Sequence, residues 1–447
     1  MDWPIDGTAW NYRDSKSFNF QERPTAVLRK LGSDEIPVTT VLEDKNQWQN
    51  WVDDAADTMS AGNALHMVLC SRAPPVFEGG HDAPVSYISV TRSTWTKLTE
   101  LFHVHRSITR TIARQVACFS SIYQENELGI LKIYFTGRMS AYLPGDLAMS
   151  VTYIPSLDST FAVMYGCNEL HIQAIEKRIR LAWDKTKYPL LVIGIIAELE
   201  RERLVDAADQ LLDKFALKSE HIENESWNLH TDMSNAKTQE YLALCLQSRS
   251  LVDNIKSVRR QVLKLQAEID EFESRFRAYT RGKGPDEKDK ARQFKEAGIH
   301  MKKRLQDIIN EYDDKADECK MIVGNTSLAM QTVWNQIARH DSDLNTRIAH
   351  ANTTIALETK REGTQMKSIA ILTMVYLPFS SVAAIFSMDL FKWDAQDGES
   401  VVSKYIWVFA VFAVGLTTIT LAAWYHITHR HERIANKDAS ELQGTMV

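Results

Sequence analysis

Hydroxyl-bearing and small side chains share one stripe of a predicted helix near the C-terminus. At about 100° per residue the stripe comprises Met366, Ile369, Thr373, Leu377, Ser380, Ala384 and Ser387. Hydroxyl groups gain nothing from contact with lipid, but inside a pore they can contact the water shell of an ion. Small residues also favour close packing of membrane helices, so Ser380 and Ala384 are alternatively packing positions.

Three larger apolar side chains of the stripe are candidates for a constriction: Met366, Ile369 and Leu377. Rings of apolar side chains can close a pore by dewetting, without a plug. Hard cations such as Mg²⁺ dehydrate reluctantly and keep several waters. Because the stripe has no thiolate or imidazole ligand, it favours passage of a hydrated ion over tight binding of a soft metal.

Other chemistry finds little support in the sequence. There is no phosphate loop, no G-x-S-x-G and no H-E-x-x-H, so we expect no enzyme and no permanently bound cofactor. The five cysteines lack paired metal-ligand spacing. A net charge of −6 gives no indication of nucleic-acid binding.

The elements that position the stripe are two apolar segments, residues 368–388 and 406–425. Neither contains a charged side chain. Each has about 20 residues, the length that a helix needs to cross roughly 30 Å of hydrocarbon. A buried helical hairpin of a soluble core is the alternative, but such helices normally carry a polar face. We therefore predict two transmembrane helices, in contact with membrane lipid and joined by an outer loop at residues 389–405.

Charges beside the two segments predict the topology. Three basic residues precede the first span and three follow the second: Lys360, Arg361, Lys367, Arg430, Arg433 and Lys437. The connecting loop is acidic, with Asp389, Asp394, Asp397 and Glu399. The positive-inside rule places both termini, including the tail at residues 426–447, in the cytoplasm. We expect a multi-pass protein of the plasma membrane with two spans.

The region before the spans predicts a mixed α+β fold. Residues 1–60 are polar and irregular in pattern, whereas residues 61–188 contain short β-branched and aromatic runs typical of an α/β cytoplasmic domain. Residues 189–285 have the apolar spacing of an antiparallel helical segment, which ends at two glycines and Pro285.

Residues 286–367 predict a long stalk helix that continues into the first span. Apolar residues recur there mostly in steps of three and four, and no proline lies between Pro285 and Pro378. One helix over 288–388 would be about 150 Å long. Such a helix needs partners, including copies of itself. The alternative is two or three shorter helices with kinks at Gly324 and Gly363.

This architecture resembles the CorA superfamily of divalent-cation channels, with the local sequence most similar to the fungal CorA-like branch. The segments that carry the resemblance are residues 366–378, MKSIAILTMVYLP, and residues 384–391, AIFSMDLF. The resemblance implies a homopentamer whose first span lines an axial pore for Mg²⁺ or another divalent cation. It also implies a Gly-Met-Asn motif at the end of that span, whose Asn side chains hold a hydrated ion at the outer mouth.

The corresponding residues here are Ser387, Met388 and Asp389, so only the methionine is retained. A carboxylate at the last position would place up to five negative charges around one axis. Asp389 is therefore the candidate metal-contacting residue. The resemblance also implies that stalk carboxylates sense divalent ions, and the candidates are Asp307, Asp313, Asp314, Asp317 and Glu318; charge runs on long helices are otherwise solvated faces.

Two further functions compete with a divalent-cation channel. One is a membrane-anchored coiled-coil interaction protein that keeps the architecture without conduction, which the altered Ser387-Met388-Asp389 triplet favours. The other is a proton-coupled carrier of zinc or another transition metal. The hydroxyl-bearing stripe and the acidic loop favour cation transport over the interaction protein.

Overall fold

The computed structural model describes residues 10, 14, 16–31, 36–60, 62–75, 83–125, 129–182, 187–224, 235–387, 404 and 406–444. The chain divides into two compact units, Met1–Trp334 and Asn335–Val447. All of the described strands lie in the first unit, and the described elements of the second unit are helices. The predicted α+β class, with a sheet domain, a long helix and two apolar C-terminal helices, is confirmed.

Seven strands of the first unit form one mixed sheet in the order β3-β2-β4-β9-β8-β7-β6, and β1 pairs with β5. Within the large sheet β4 and β9 are parallel, whereas the other neighbours are antiparallel. The strands are β1 Asn19–Phe20, β2 Thr25–Leu31, β3 Val38–Leu42, β4 Ala64–Ser71, β5 Tyr87–Ile88, β6 Cys118–Glu125, β7 Leu131–Arg138, β8 Ala148–Ile154 and β9 Ser159–Cys167.

The sheet is covered on both faces, because alternate side chains of one strand enter two different cores. Leu65, Met67 and Leu69 of β4 belong to one core, whereas Val68 and Cys70 belong to the other. This alternation follows from the two-residue period of a strand. A strand that is buried on both faces is apolar along its whole length, which is why β4 was recognisable from its sequence.

Three helices cover one face: α1 Lys45–Ser60, α2 Arg92–Leu101 and α3 Ser107–Ala113. Trp48, Trp95 and Ile108 of these helices share a core with Val68 and Phe161 of the sheet. The Thr91 side chain caps α2 by accepting a hydrogen bond from the Thr94 backbone amide, which satisfies a free donor of the first turn.

A second set of helices covers the other face: α4 Glu169–Leu181, α5 Leu191–Asn224, α6 Asn235–Tyr279 and the first part of α7 Pro285–Phe386. Aromatic rings join these helices to the sheet. The ring centroid of Tyr153 on β8 lies 6.3, 6.4 and 6.1 Å from those of Phe272, Phe276 and Phe294. Aromatic pairs at this separation add stability beyond the area that they bury.

The break before the stalk lies where the sequence predicts it, between Tyr279 and Pro285. Gly282 has φ +89°, a conformation that other residues adopt only with strain. Helix α7 then runs for 102 residues, through Gly324, Gly363 and Pro378, without interruption. The last helix, α8, spans Ile406–Gly444.

Two buried arginines share one buried carboxylate within the sheet domain. Asp146 Oδ1 lies 2.9 Å from Arg72 Nη2, and Asp146 Oδ2 lies 2.8 Å from Arg138 Nη2. Arg138 also donates to the carbonyls of Ile112 and Arg114 at the end of α3. The network therefore fixes the ends of β4, β7 and α3 around the start of β8.

The structure corrects the expectation that residues 1–60 are irregular. This segment supplies β2, β3 and α1, and β2 lies inside the seven-stranded sheet. The sequence of β2, TAVLRKL, obscured the strand because Arg29 and Lys30 interrupt its apolar run. Only pairing with β3 and β4 makes this stretch a strand, and such pairing is non-local information.

We expect Asp146→Ala to lower the free energy of unfolding by about 3–5 kcal/mol, because it leaves two buried guanidinium groups without a counter-charge. Asp289→Ala is the matched control, since Asp289 pairs with Arg292 at 3.3 Å on an exposed face. This control substitution should lower the free energy of unfolding by at most about 1 kcal/mol. Urea unfolding of both variants in detergent, followed by circular dichroism, measures the difference; equal losses would contradict the assignment.

Candidate functional site

Two helices of the described residues are long and apolar enough to cross a membrane. One span lies within Pro285–Ala384 and the other is Ile406–His426. Few residues of either apolar window are buried by the rest of the chain. A helical hairpin in a soluble core would be mostly buried, so the low burial favours helices that contact membrane lipid.

The two apolar helices pack against each other in antiparallel order. The rings of Phe379 and Phe409 meet edge to face, with centroids 5.7 Å apart. At the other end of the pair, Lys367 Nζ lies 5.6 Å from the ring centroid of Trp424. An aromatic ring beside a lysine is typical of a membrane interface, where both side chains have one apolar and one polar part.

One face of the first span makes this packing. Pro378 and Val382 are buried there, and Ala413 of α8 is buried opposite. Pro378 cannot donate a backbone hydrogen bond, yet the helix continues past it. Its burial places Pro378 on the packed face. The neighbouring Leu377 carbonyl accepts hydrogen bonds from the Ser380 and Ser381 hydroxyls, at 3.0 and 2.7 Å.

The predicted stripe lies on a different face and is uncovered. Met366, Ile369 and Leu377 are 72%, 64% and 61% exposed. The other four members are exposed as well: Thr373, Ser380, Ala384 and Ser387. The structure thus keeps six of the seven stripe residues on one helix, with Ser387 directly after its end, and leaves all seven without cover from α8 or from other described residues.

The stripe hydroxyls are oriented as acceptors. Thr373 Oγ1 donates its hydrogen to the Ile369 carbonyl at 2.8 Å, and Ser380 Oγ donates to the Leu377 carbonyl at 3.0 Å. A hydroxyl has one hydrogen and two lone pairs, so both oxygens keep their lone pairs for an outside donor. Waters around a cation point their hydrogens outward, and such oxygens are their natural partners.

The polar stripe extends further down the stalk than the sequence prediction placed it. Asn345, Asn352 and Thr359 precede Met366 at successive steps of seven, and all three are exposed. The same step of seven connects Met366 with Thr373, Ser380 and Ser387. A repeat of seven keeps residues on one seam of packed helices. This spacing was visible in the sequence and would have identified the three residues.

The outer-mouth residues fall at the edge of the described structure. Ser387 is described as an exposed turn residue directly after helix α7. Met388 and Asp389 lie outside the described residues. The same holds for residues 390–403 and 405 of the connecting loop. The proposed ring at Asp389 therefore stays a prediction.

Three of the five stalk carboxylates considered as ion sensors are already engaged in ion pairs within the chain. Among the described residues, no group of three or more His, Cys, Asp or Glu side chains is placed to hold a metal. The single chain thus favours an ion-paired helix surface for these residues. The pairs are Asp313–Arg259 at 2.7 Å, Asp317–Lys320 at 2.6 Å and Glu318–Lys315 at 2.8 Å.

A further ion-pair cluster joins α5 to the stalk. Glu198 accepts hydrogen bonds from Arg201, at 3.0 Å, and from Arg304. Burial alone would raise the pKa of Glu198, but these two guanidinium groups outweigh it and hold the pKa below its usual value. Glu198 is therefore ionised at neutral pH, and its contribution to stability is lost only as the pH falls through the lowered pKa.

No family model and no curated protein matches the sequence. Solved structures with a similar fold do exist. The full-length CmaX protein covers 91% of this chain and 99% of its own, with 12% identity and a TM-score of 0.38. The cytoplasmic domain of ZntB from Vibrio parahaemolyticus covers 72% and 99%, with 12% identity and a TM-score of 0.35.

A third similar structure is the complete CorA magnesium transporter from Methanocaldococcus jannaschii. It covers 89% of this chain and 96% of its own, with 10% identity and a TM-score of 0.30. Similarity at these identities concerns the fold alone. The function has to rest on the residues of this chain.

Proposed function

We propose that this protein is a divalent-cation channel or transporter, with Mg²⁺ as the transported ion. The hydrated ion passes along an axial pore that the first span of each subunit lines in a homopentamer. The observation that carries the proposal is the uncovered polar seam, which runs from Asn345 to Ser387 and turns hydroxyl lone pairs outward. The number five comes from the resemblance to the CorA superfamily.

The seam supports self-association because the chain itself does not cover it. The hydroxyls of Thr373 and Ser380 donate to backbone carbonyls, but their remaining lone pairs favour a water-filled or protein-lined surface over hydrocarbon. Apolar side chains of the stalk are likewise exposed, including Leu344, Ile348 and Ile355. Copies of the same helix, related by a rotation axis, would cover both sets at once.

The chemistry of the seam supports a hydrated ion of the Mg²⁺ type. Side-chain oxygens of Asn345, Asn352, Thr359, Thr373 and Ser380 can accept hydrogen bonds from coordinated water. Mg²⁺ dehydrates reluctantly and keeps several waters in most protein sites. The seam offers no thiolate or imidazole ligand, so tight retention of Zn²⁺ is disfavoured.

Apolar side chains interrupt the polar seam in the cytoplasmic half of the span. Met366, Ile369 and Leu377 would form successive apolar rings around the axis of an oligomer. Such rings exclude water when the helices approach, and they admit it when the helices separate. We assign the closed state of the pathway to this constriction.

Charge placement supports the orientation of the proposed pathway. Lys360, Arg361 and Lys367 flank the first span on the stalk side. With both termini in the cytoplasm, the acidic loop lies outside, where it raises the local concentration of cations. Asp389 in this loop would then stand at the outer mouth, where the CorA resemblance places an asparagine. We propose the plasma membrane as the location.

The oligomer is testable by native mass spectrometry of the detergent-solubilised protein, for which we expect a pentamer. Ile348→Asp should weaken it, because five carboxylates would replace exposed apolar side chains on one seam. Thr354→Asp is the control, since Thr354 is exposed on another face of the same helix. A stable monomer or dimer of the wild type would remove the basis for an axial pore.

Transport is testable by divalent-cation flux into liposomes that contain the purified protein and an ion indicator. Asp389→Lys should abolish flux, because it places positive charges on the axis. Asp389→Asn should weaken attraction of the ion yet retain recognition of its water shell through the amide. Asp397→Lys, in the same loop, serves as the control and should reduce flux only modestly.

The competing functions give different results in this assay. Equal flux for the wild type and Asp389→Lys contradicts the role of Asp389. No flux for the wild type would favour the membrane-anchored interaction protein. Zn²⁺ flux that requires a pH gradient would favour the proton-coupled carrier.

A further inference from the structure

Strand β3 forms one of the two edges of the seven-stranded sheet. It stands first in the strand order, and β2 is its only strand neighbour among the described residues. Alternate residues of an edge strand turn their backbone N–H and C=O groups away from the sheet, where no strand pairs with them. Such an edge can accept a further strand, so proteins usually protect it.

The opposite edge, β6, shows this protection. Gln261 Oε1 of helix α6 accepts a hydrogen bond from the Phe119 backbone amide at 3.1 Å. Glu268 of the same helix accepts hydrogen bonds from the hydroxyls of Ser121 and Tyr123, each at 2.6 Å. Helix α6 thus engages both the backbone and the side chains of β6, which leaves less of that edge for another strand.

Strand β3 has no comparable protection. Its five residues, VTTVL, include no charged residue and no proline, and its register with β2 runs without a bulge. Val38 and Val41 point to opposite faces of the sheet, because side chains of a strand alternate, and they are 51% and 54% exposed. Neither layer of helices therefore covers this edge fully. Pro37, directly before the strand, limits its length but leaves its residues open.

Acidic residues flank β3 in the sequence. Asp34 and Glu35 precede the strand, whereas Glu43 and Asp44 follow it and come before a single lysine, Lys45. The side chains of Glu43 and Asp44 are exposed. The chain therefore places an open apolar strand between two acidic stretches.

These acidic stretches disfavour one obvious occupant, the β3 strand of a second copy. In an antiparallel pair of β3 strands, each end of the ladder combines the acidic residues before the strand in one copy with those after it in the other. Like charges that lie together across a strand pair are destabilising, and charges at the ends of an apolar strand protect it from self-association. A partner of opposite charge gains where a second copy loses.

We propose that β3 binds an extended segment of a partner protein, which joins the sheet as an additional strand. The backbone of the segment pairs with β3, and its apolar side chains lie beside Val38 on one face or Val41 on the other. Basic residues at both ends of the segment meet the acidic stretches. In this binding mode backbone hydrogen bonds supply affinity, and alternate side chains supply specificity. Because β3 belongs to the first unit, the proposal stands whether or not the protein conducts ions.

The test is fluorescence anisotropy of a labelled synthetic peptide, KRTVTVTVRK, titrated with the full-length protein in detergent. We expect saturable binding. N-methylation of the central residues of the peptide should abolish it, because the methyl groups remove the backbone donors that a strand needs. The peptide EETVTVTVEE should bind more weakly, because its ends repel the acidic stretches.

Val41→Lys should weaken binding of KRTVTVTVRK roughly ten-fold or more, because it removes an apolar contact and places a like charge beside the basic peptide. Val116→Lys is the matched control. Val116 is 56% exposed and precedes β6 at the opposite edge, so the same change of charge there should leave binding unchanged.

Four results would overturn the proposal: no binding of KRTVTVTVRK, equal binding of its N-methylated form, equal binding of EETVTVTVEE, or equal weakening by Val41→Lys and Val116→Lys. A native mass of the unliganded protein that falls on Val41→Lys would also overturn it, since a second copy would then occupy the edge. The peptide comparisons use the wild-type protein, so they decide the question even where a variant fails to fold.

Discussion

A polar side chain on a membrane helix needs either a hydrogen-bond partner or water, and the second unit depends on this requirement. Helix α8 covers only the face of the first span that carries Pro378 and Val382. The hydroxyl and amide groups of the seam stay outside that contact. The hydroxyls of Thr373 and Ser380 donate to backbone carbonyls, which leaves their lone pairs exposed as acceptors. The placement of the apolar packing face thus determines which face is available for water and ions.

The first unit meets the opposite requirement, since its charges have to be satisfied in a dry interior. Asp146 does this for two arginines, and Glu198 joins α5 to the stalk through Arg304. The Glu198–Arg304 contact holds the base of α7 against α5 at a partly exposed position.

Local patterns made much of this molecule predictable. The spans, the break at Gly282 and the seam of Thr373 and Ser380 depend on neighbours within a few residues, so composition and periodicity were sufficient. Strands β2 and β3 depend on pairing with distant residues, and the charges of Arg29 and Lys30 obscured β2. The cross-strand row from Val38 through Arg29 to His66 could not be predicted at all, because it exists only through strand register. Asn352 was missed although its spacing of seven was visible.

The most direct test of the uncovered seam compares two adjacent serines. Ser380 and Ser381 are both exposed and donate to the same Leu377 carbonyl, but only Ser380 lies on the seam. In liposomes, a hydrophilic cationic thiol reagent should block divalent-cation flux through Ser380→Cys and leave flux through Ser381→Cys and the wild type unchanged. Equal sensitivity of the two cysteine variants, or insensitivity of both, would contradict a pore along this face.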